Sequence, residues 1–151
     1  MERDEQGPAA VVHRLLAAIN AHDLEAMVAL FADDYVNEWP AHPQRGFRGN
    51  EQVRRNWSQI FAGVPDLQAR LPRMTVDGDT VWTEWEHRGT RPDGTAHVMR
   101  GVVIFGVSDG RATWARFYLE PVEQGGGGVE EAIRRQVERP SAAAPSSWAA
   151  S

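Results

Sequence analysis

The spacing of apolar residues along this chain changes period once, near residue 65. Before that point Val11, Val12, Leu15, Leu16 and Ile19 recur at helical spacing and predict an amphipathic helix over 9–19. Asn20-Ala21-His22 interrupts it, and Asp23 reads as the N-cap of a second helix with Leu24, Met27, Val28, Leu30 and Phe31 on its apolar face. Asp33-Asp34 ends that helix, and Tyr35 to Trp39 alternates as a short strand closed by Pro40. After a Pro/Gly-rich loop to Gly49, Asn50 is expected to cap a third helix running to about Ile60, with Val53, Trp57 and Ile60 facing inward. Beyond Gly63-Val64-Pro65 the period falls to two over the runs 67–77, 80–90, 95–107 and 111–122. The turns between them are Asp77-Gly78-Asp79, Pro92-Asp93-Gly94 and Asp109-Gly110. Helices followed by a meander predict an α+β fold, with three N-terminal helices on one face of a curved antiparallel sheet.

The flanks are expected to add little to that domain, which spans 9–123. Residues 1–8 and the Ala/Ser/Pro-rich stretch 140–151 are expected to be disordered. Gly125 to Gly128 lies in a linker, 124–128, before a short amphipathic helix over 129–139. The last two strands carry apolar residues on both faces, and three helices cannot cover both. A second copy is therefore expected against the outer face, in a homodimer using Ile104, Trp114 and Tyr118. The alternative is that Trp114 and Tyr118 pack beneath the C-terminal segment.

Composition narrows the chemistry. The 151 residues include no Cys, and all 16 basic residues are Arg. Thiolate nucleophiles, Cys-ligated metals, Schiff bases and amine general bases are thereby excluded. A net charge of −5 argues against a nucleic-acid footprint. The longest apolar run, Gly101 to Gly106, is far short of the ~20 residues that span a bilayer. The polar start Met1-Glu2-Arg3-Asp4-Glu5 has no apolar leader, so a cytoplasmic location and no membrane partner are expected. No His-Glu-x-x-His or comparable spacing is present, and neither a metal nor another cofactor is expected.

The stretch from His22 to Tyr35 (HDLEAMVALFADDY) resembles the helix-to-strand segment of the nuclear transport factor 2-like superfamily. The helix start Gly49-Asn50-Glu51-Gln52-Val53 and the hairpin Val103 to Arg111 resemble it as well, so that the likeness covers about residues 9–122. It is strongest to the SnoaL-like branch, which holds polyketide cyclases and has ketosteroid isomerase and limonene-epoxide hydrolase as relatives. The resemblance implies a cone, an α+β barrel in which a bent sheet wraps around helices with a pocket between them. It does not carry a ready-made mechanism. The donor and base positions of the isomerase fall on Leu15, Trp39 and Val103, so all three roles are vacant. Of the epoxide hydrolase set, Tyr35-Val36-Asn37 matches the Tyr-x-Asn pair that holds the attacking water. The final-strand Asp falls on Phe117, and the Arg and first Asp fall either on Trp85 and His87 or on Glu84 and Glu86.

Burial cost favours one of these registers. Turning Trp82, Glu84, Glu86 and Arg88 inward would bury three charges, at several kcal/mol for each one left uncompensated. Turning Val81, Thr83, Trp85 and His87 inward buries none. The expected pocket then has walls of Trp39, Trp85, Phe105 and Phe117, with Trp57 from the third helix, and polar points at Tyr35, Asn37 and His87. His42 either caps the mouth or lies on a surface loop; His13 and His22 are expected to be exposed, and His97 has no assigned role. His87 is the candidate acid/base group, with Tyr35 and Asn37 orienting a carbonyl or water. The expected function is cofactor-independent cyclisation, isomerisation, dehydration or epoxide opening on an apolar or polyaromatic small molecule. A non-catalytic binder or a dimeric adaptor is the alternative.

Overall fold

The computed structural model describes residues 6–138. The expected disorder of 1–5 and of 140–151 concerns residues outside that range. Four helices and six strands follow in the order α1 (Pro8–Ala21), α2 (Leu24–Val28), β1 (Phe31–Glu38), β2 (Phe47–Arg48), α3 (Asn50–Gly63), β3 (Gln68–Asp77), β4 (Thr80–Thr90), β5 (Ala96–Ser108), β6 (Arg111–Pro121) and α4 (Val129–Glu138). The strands form one curved, unclosed sheet in the order β2-β1-β6-β5-β4-β3. α1 begins at Pro8, where the ring's fixed φ and missing N–H suit a first helical turn.

The sheet is mixed, which corrects the antiparallel expectation. β1 runs parallel to β6, with Asn37 opposite Ala115, while the remaining neighbours are antiparallel. The same pairing shortens the second helix. Asp23 caps it as expected, its Oδ1 accepting the Ala26 N–H at 3.1 Å. The helix nevertheless ends at Val28, because the Ala112 N–H donates to the Leu30 carbonyl at 2.8 Å and Phe31 joins the sheet opposite Ala112. Leu30, in the turn before β1, and Phe31, its first residue, are both buried, as they would have been in a helix. The cap of α3 is also displaced: Gly49 holds that position, and Asn50 Nδ2 turns back to the Phe31 carbonyl and the Asp33 carboxylate.

Side chains at the end of α1 fasten the helices to the sheet. The Asn20 amide pairs with the Ala69 backbone in both directions, donating at 3.1 Å and accepting at 2.7 Å. His22, in the left-handed region at φ 53°, donates through Nε2 to the Leu67 carbonyl at 2.7 Å and stacks on Phe61. It is a half-buried joint rather than the exposed helix end that the sequence suggests.

On β4 the inward set is Val81, Thr83, Trp85 and His87, all buried, while Trp82 and Glu84 face out. Glu86 stays on the outer face, bonded to Arg88 and Arg100 at 2.6 and 3.1 Å, and hydrogen bonding from Arg88 is the largest cause holding its carboxyl below the usual range. Two glycines allow β5 and β6 their close fit. At Gly101, φ is +153° and a Cβ would lie 2.1 Å from the Tyr118 carbonyl oxygen; at Gly106 a Cβ would meet the Trp114 indole. Ile104 is only 7% exposed, so of the outer-face residues expected to meet a second copy it is unavailable, whereas Tyr118 is 41% exposed. α4 buries none of its residues and leaves Val129, Ile133 and Val137 open, so it does not cover Trp114 and Tyr118. No helix among the described residues is long and apolar enough to cross a membrane.

Candidate functional site

The cone encloses two adjoining chambers between the helices and the inner face of the sheet. The inner one, about 30 Å³, is walled by Leu15, Ile19 and Met27 from the helices and by Trp85, Val103 and Phe105 from the sheet. The outer one, about 150 Å³, adds Tyr35, Asn37, Trp39, Asn56, His97 and Met99. Phe31, Trp57, His87, Phe117 and Leu119 border both. His87 is the sole polar side chain shared by the two chambers.

Alternation on β1 brings Tyr35 and Asn37 to the same face, and they bond to each other. The Tyr35 hydroxyl donates to Asn37 Oδ1 at 2.6 Å. That distance suits an O–H···O bond. Burial pushes the Tyr35 phenol well above its ordinary pKa, so its proton stays on and is spent inside the protein. Asn37 is 3% exposed, and its Nδ2 has no hydrogen-bond partner among the described residues. An orphaned buried donor costs roughly 1–3 kcal/mol. Asn37 itself lines the outer chamber.

His87 is held between the edges of Trp57 and Trp85, with ring centroids 5.8 and 5.9 Å away. Neither ring nitrogen has a hydrogen-bond partner among the described residues. Burial, assisted by the neighbouring His97, lowers its pKa to about 4. At neutral pH the ring is uncharged and offers one N–H and one lone pair. Trp85 is fixed in turn: its Nε1–H donates to Thr83 Oγ1, which donates to the Val103 carbonyl, both at 2.6 Å.

Trp39 lies just past β1 and stacks on Phe117 at 5.1 Å, with the Arg45 guanidinium over its ring at 5.2 Å. His42 lines neither chamber. It joins Glu120 at 2.7 Å and lies edge-on to Trp39, so it ties its loop to β6. His97 and Asn56, which carried no role in the sequence reading, border the outer chamber. A signal for His97 was present: its alternation with Met99, which lies opposite His87, puts all three on the inner face. Burial also lowers the pKa of His97, with Arg91 adding to the effect. No Asp, Glu or Arg borders either chamber, and no group of three or more His, Asp or Glu among the described residues could hold a metal.

The sequence profile of the SnoaL-like domain matches residues 12–115. The chain belongs to the SnoaL-like family. Its fold is that of the nuclear transport factor 2-like superfamily, shared with solved structures of low identity. IdmH of Streptomyces antibioticus, described as a candidate polyketide cyclase, is 27% identical, with a TM-score of 0.65 over 74% of this chain and 91% of its own. An epoxide hydrolase of Mycobacterium tuberculosis, likened to the limonene enzyme, is 24% identical, with a TM-score of 0.63 over 73% and 80%. RV0760c of the same organism, crystallised with estradiol-17beta-hemisuccinate, is 23% identical, with a TM-score of 0.63 over 73% and 91%. No curated protein matches the chain in sequence. Within this SnoaL-like protein, Trp85, His87 and Phe117 all face the inner chamber.

Proposed function

We propose that this SnoaL-like protein is a cofactor-independent enzyme that performs acid/base chemistry on a compact apolar molecule. The reaction class is cyclisation, isomerisation, dehydration or epoxide opening. One observation carries the reading: Asn37, whose Nδ2 donor has no partner, and His87, an uncharged imidazole with a free lone pair, line the same chamber. His87 accepts a proton from the substrate, and Asn37 Nδ2 donates to the oxygen on which negative charge develops. Tyr35 is a positioning residue, since its proton holds the Asn37 amide in place. Trp39, Trp57, Trp85, Phe105 and Phe117 form the apolar walls. At about 150 Å³ the outer chamber is below the ~300 Å³ at which drug-sized sites begin. Of the apolar or polyaromatic substrates expected from sequence, volume therefore favours a compact apolar one.

The relatives support small-molecule chemistry without choosing a reaction. A second reading, a non-catalytic binder, is favoured by the apolar residues Trp85 and Phe117 at positions where charged groups would act. Turnover of a panel of small epoxides and ketones separates the two. His87→Ala is expected to lower kcat by about 10²–10⁴-fold and Asn37→Ala by about 10²-fold. If neither variant slows turnover tenfold, the catalytic assignment fails. The rate should rise through pH 4, as His87 loses its proton, and stay level toward neutrality.

The proposal extends to a cytoplasmic site of action and to a homodimer through the outer sheet face. Trp82 and Tyr118, 48% and 41% exposed, are the aromatic residues available there. Replacing both with Arg is expected to convert the dimer to monomer in analytical ultracentrifugation. A wild-type protein that sediments as a monomer at micromolar concentration would remove this part of the proposal.

A further inference from the structure

The two chambers differ in chemistry, and that difference describes a ligand. The inner chamber offers only hydrocarbon and aromatic surface apart from the His87 ring. The outer chamber offers one deeply buried orphan donor, and its orientation is not free. Tyr35 donates to Asn37 Oδ1, so the group of this amide left without a partner is its N–H. A ligand group that satisfies it must accept a hydrogen bond. It must also be uncharged, since no ionised side chain borders either chamber to offset a charge taken out of water. Phe31, Trp57, His87, Phe117 and Leu119 border both chambers, and a neck among them is where one ligand would reach both.

We propose that the cavity selects a neutral molecule with one acceptor oxygen, held by Asn37 Nδ2 in the outer chamber, and a short apolar end seated in the inner chamber. His87 at the neck then faces the carbons next to that oxygen. Leu15, Met27 and Phe105, at the closed end, set the length of the apolar end. Tyr35 sets the polarity of the head by fixing which way the amide points. This deepens the reading of the cavity as a substrate site and rests on it.

Binding, rather than turnover, tests the inference. Three matched probe series are titrated by calorimetry: 2-alkanones of increasing chain length, the isosteric 2-methyl-1-alkenes and the corresponding n-alkanoates. Ketones are expected to bind about tenfold more tightly than alkenes of the same shape, as the orphan donor gains its acceptor. Affinity should grow about fourfold per added methylene and then break when the inner chamber is full. Alkanoates should show no binding. Asn37→Leu should erase the ketone advantage and keep the length dependence. Leu15→Phe should move the break to a shorter chain and keep the ketone advantage. Tyr35→Phe frees the amide to turn and should reduce the ketone advantage without moving the break. Equal binding of ketone and alkene to the wild-type protein, binding of the alkanoate, or a series without a break overturns the proposal, and none of these depends on a variant folding. Turnover separates this proposal from the catalytic one. The expected binding pattern with no reaction would sink the catalytic reading alone, whereas His87-dependent turnover of a charged substrate would sink this inference alone.

Discussion

Acidification from above pH 6.5 to below pH 4 is expected to remove about 3 kcal/mol of stability that a His87→Leu variant does not lose. In the folded protein burial, with some help from His97, holds the imidazole at a pKa of about 4, against 6.5 when the chain is unfolded. Above pH 6.5 the ring is neutral in both states and the term vanishes. As pH falls through 6.5 the unfolded chain takes up the proton and the folded one does not, so unfolding is favoured. Below pH 4 the folded ring is protonated too, and the loss stops growing. Each pH unit of separation is worth about 1.4 kcal/mol, and His87 is only 6% exposed, so little of it is screened. Urea unfolding at pH 7 and pH 4.5 should already show most of the difference. His97 shifts in the same direction and contributes to both proteins, which is why the comparison is with the variant and not with pH alone. If wild type and variant weaken in parallel, His87 is hydrated in the folded state, and its place as an uncharged base is lost with it.

Gly101→Ala is expected to be the most damaging single methyl group in the sheet, costing about 3 kcal/mol or more. Two effects add. The backbone at φ +153° lies where an L side chain is strained, and the new Cβ would fall 2.1 Å from the Tyr118 carbonyl oxygen and 2.8 Å from the Leu119 Cα. Both obstacles are main chain, so relief requires β5 and β6 to separate. Gly106→Ala is the control. There the Cβ meets the indole of Trp114, a half-buried side chain on the outer face that can swing aside, and a smaller loss is expected. Gly101 lies opposite Leu119 and Trp85, so parting these strands also opens the cavity wall. Thermal unfolding of both variants decides the matter; equal melting temperatures for the two would show that the backbone contact carries no special cost.

What could be read from sequence, and what could not, follows from what hydrophobic periodicity encodes. Period two placed the four meander strands within a residue or so, and the cost of burying Glu84 and Glu86 chose the inward face of β4 correctly. The end of α2 was unreadable because Leu30 and Phe31 are buried in either conformation, and pairing with β6, which the local pattern does not contain, made the choice. The parallel partner of β1 was hidden for the same reason. Tyr35 and Asn37 were legible as neighbours on one face, but not the direction of the bond between them, which turns Tyr35 from a ligand contact into a clamp. Its Pro-rich surroundings left His42 as either a mouth cap or a surface-loop residue; its partner Glu120 is 78 residues away, beyond any local signal.

The parallel pairing of β1 with β6 has a consequence for how this protein comes into being. Asn37 is made early in translation, on a strand whose only early neighbour is the two-residue β2. Its lasting neighbour, β6, leaves the ribosome more than seventy residues later, after His87 has already emerged on β4. Nascent chains that end between His87 and about residue 121 therefore carry both halves of the site without the strand that brings them together. A ligand cannot chaperone the growing chain; it can bind only a finished one.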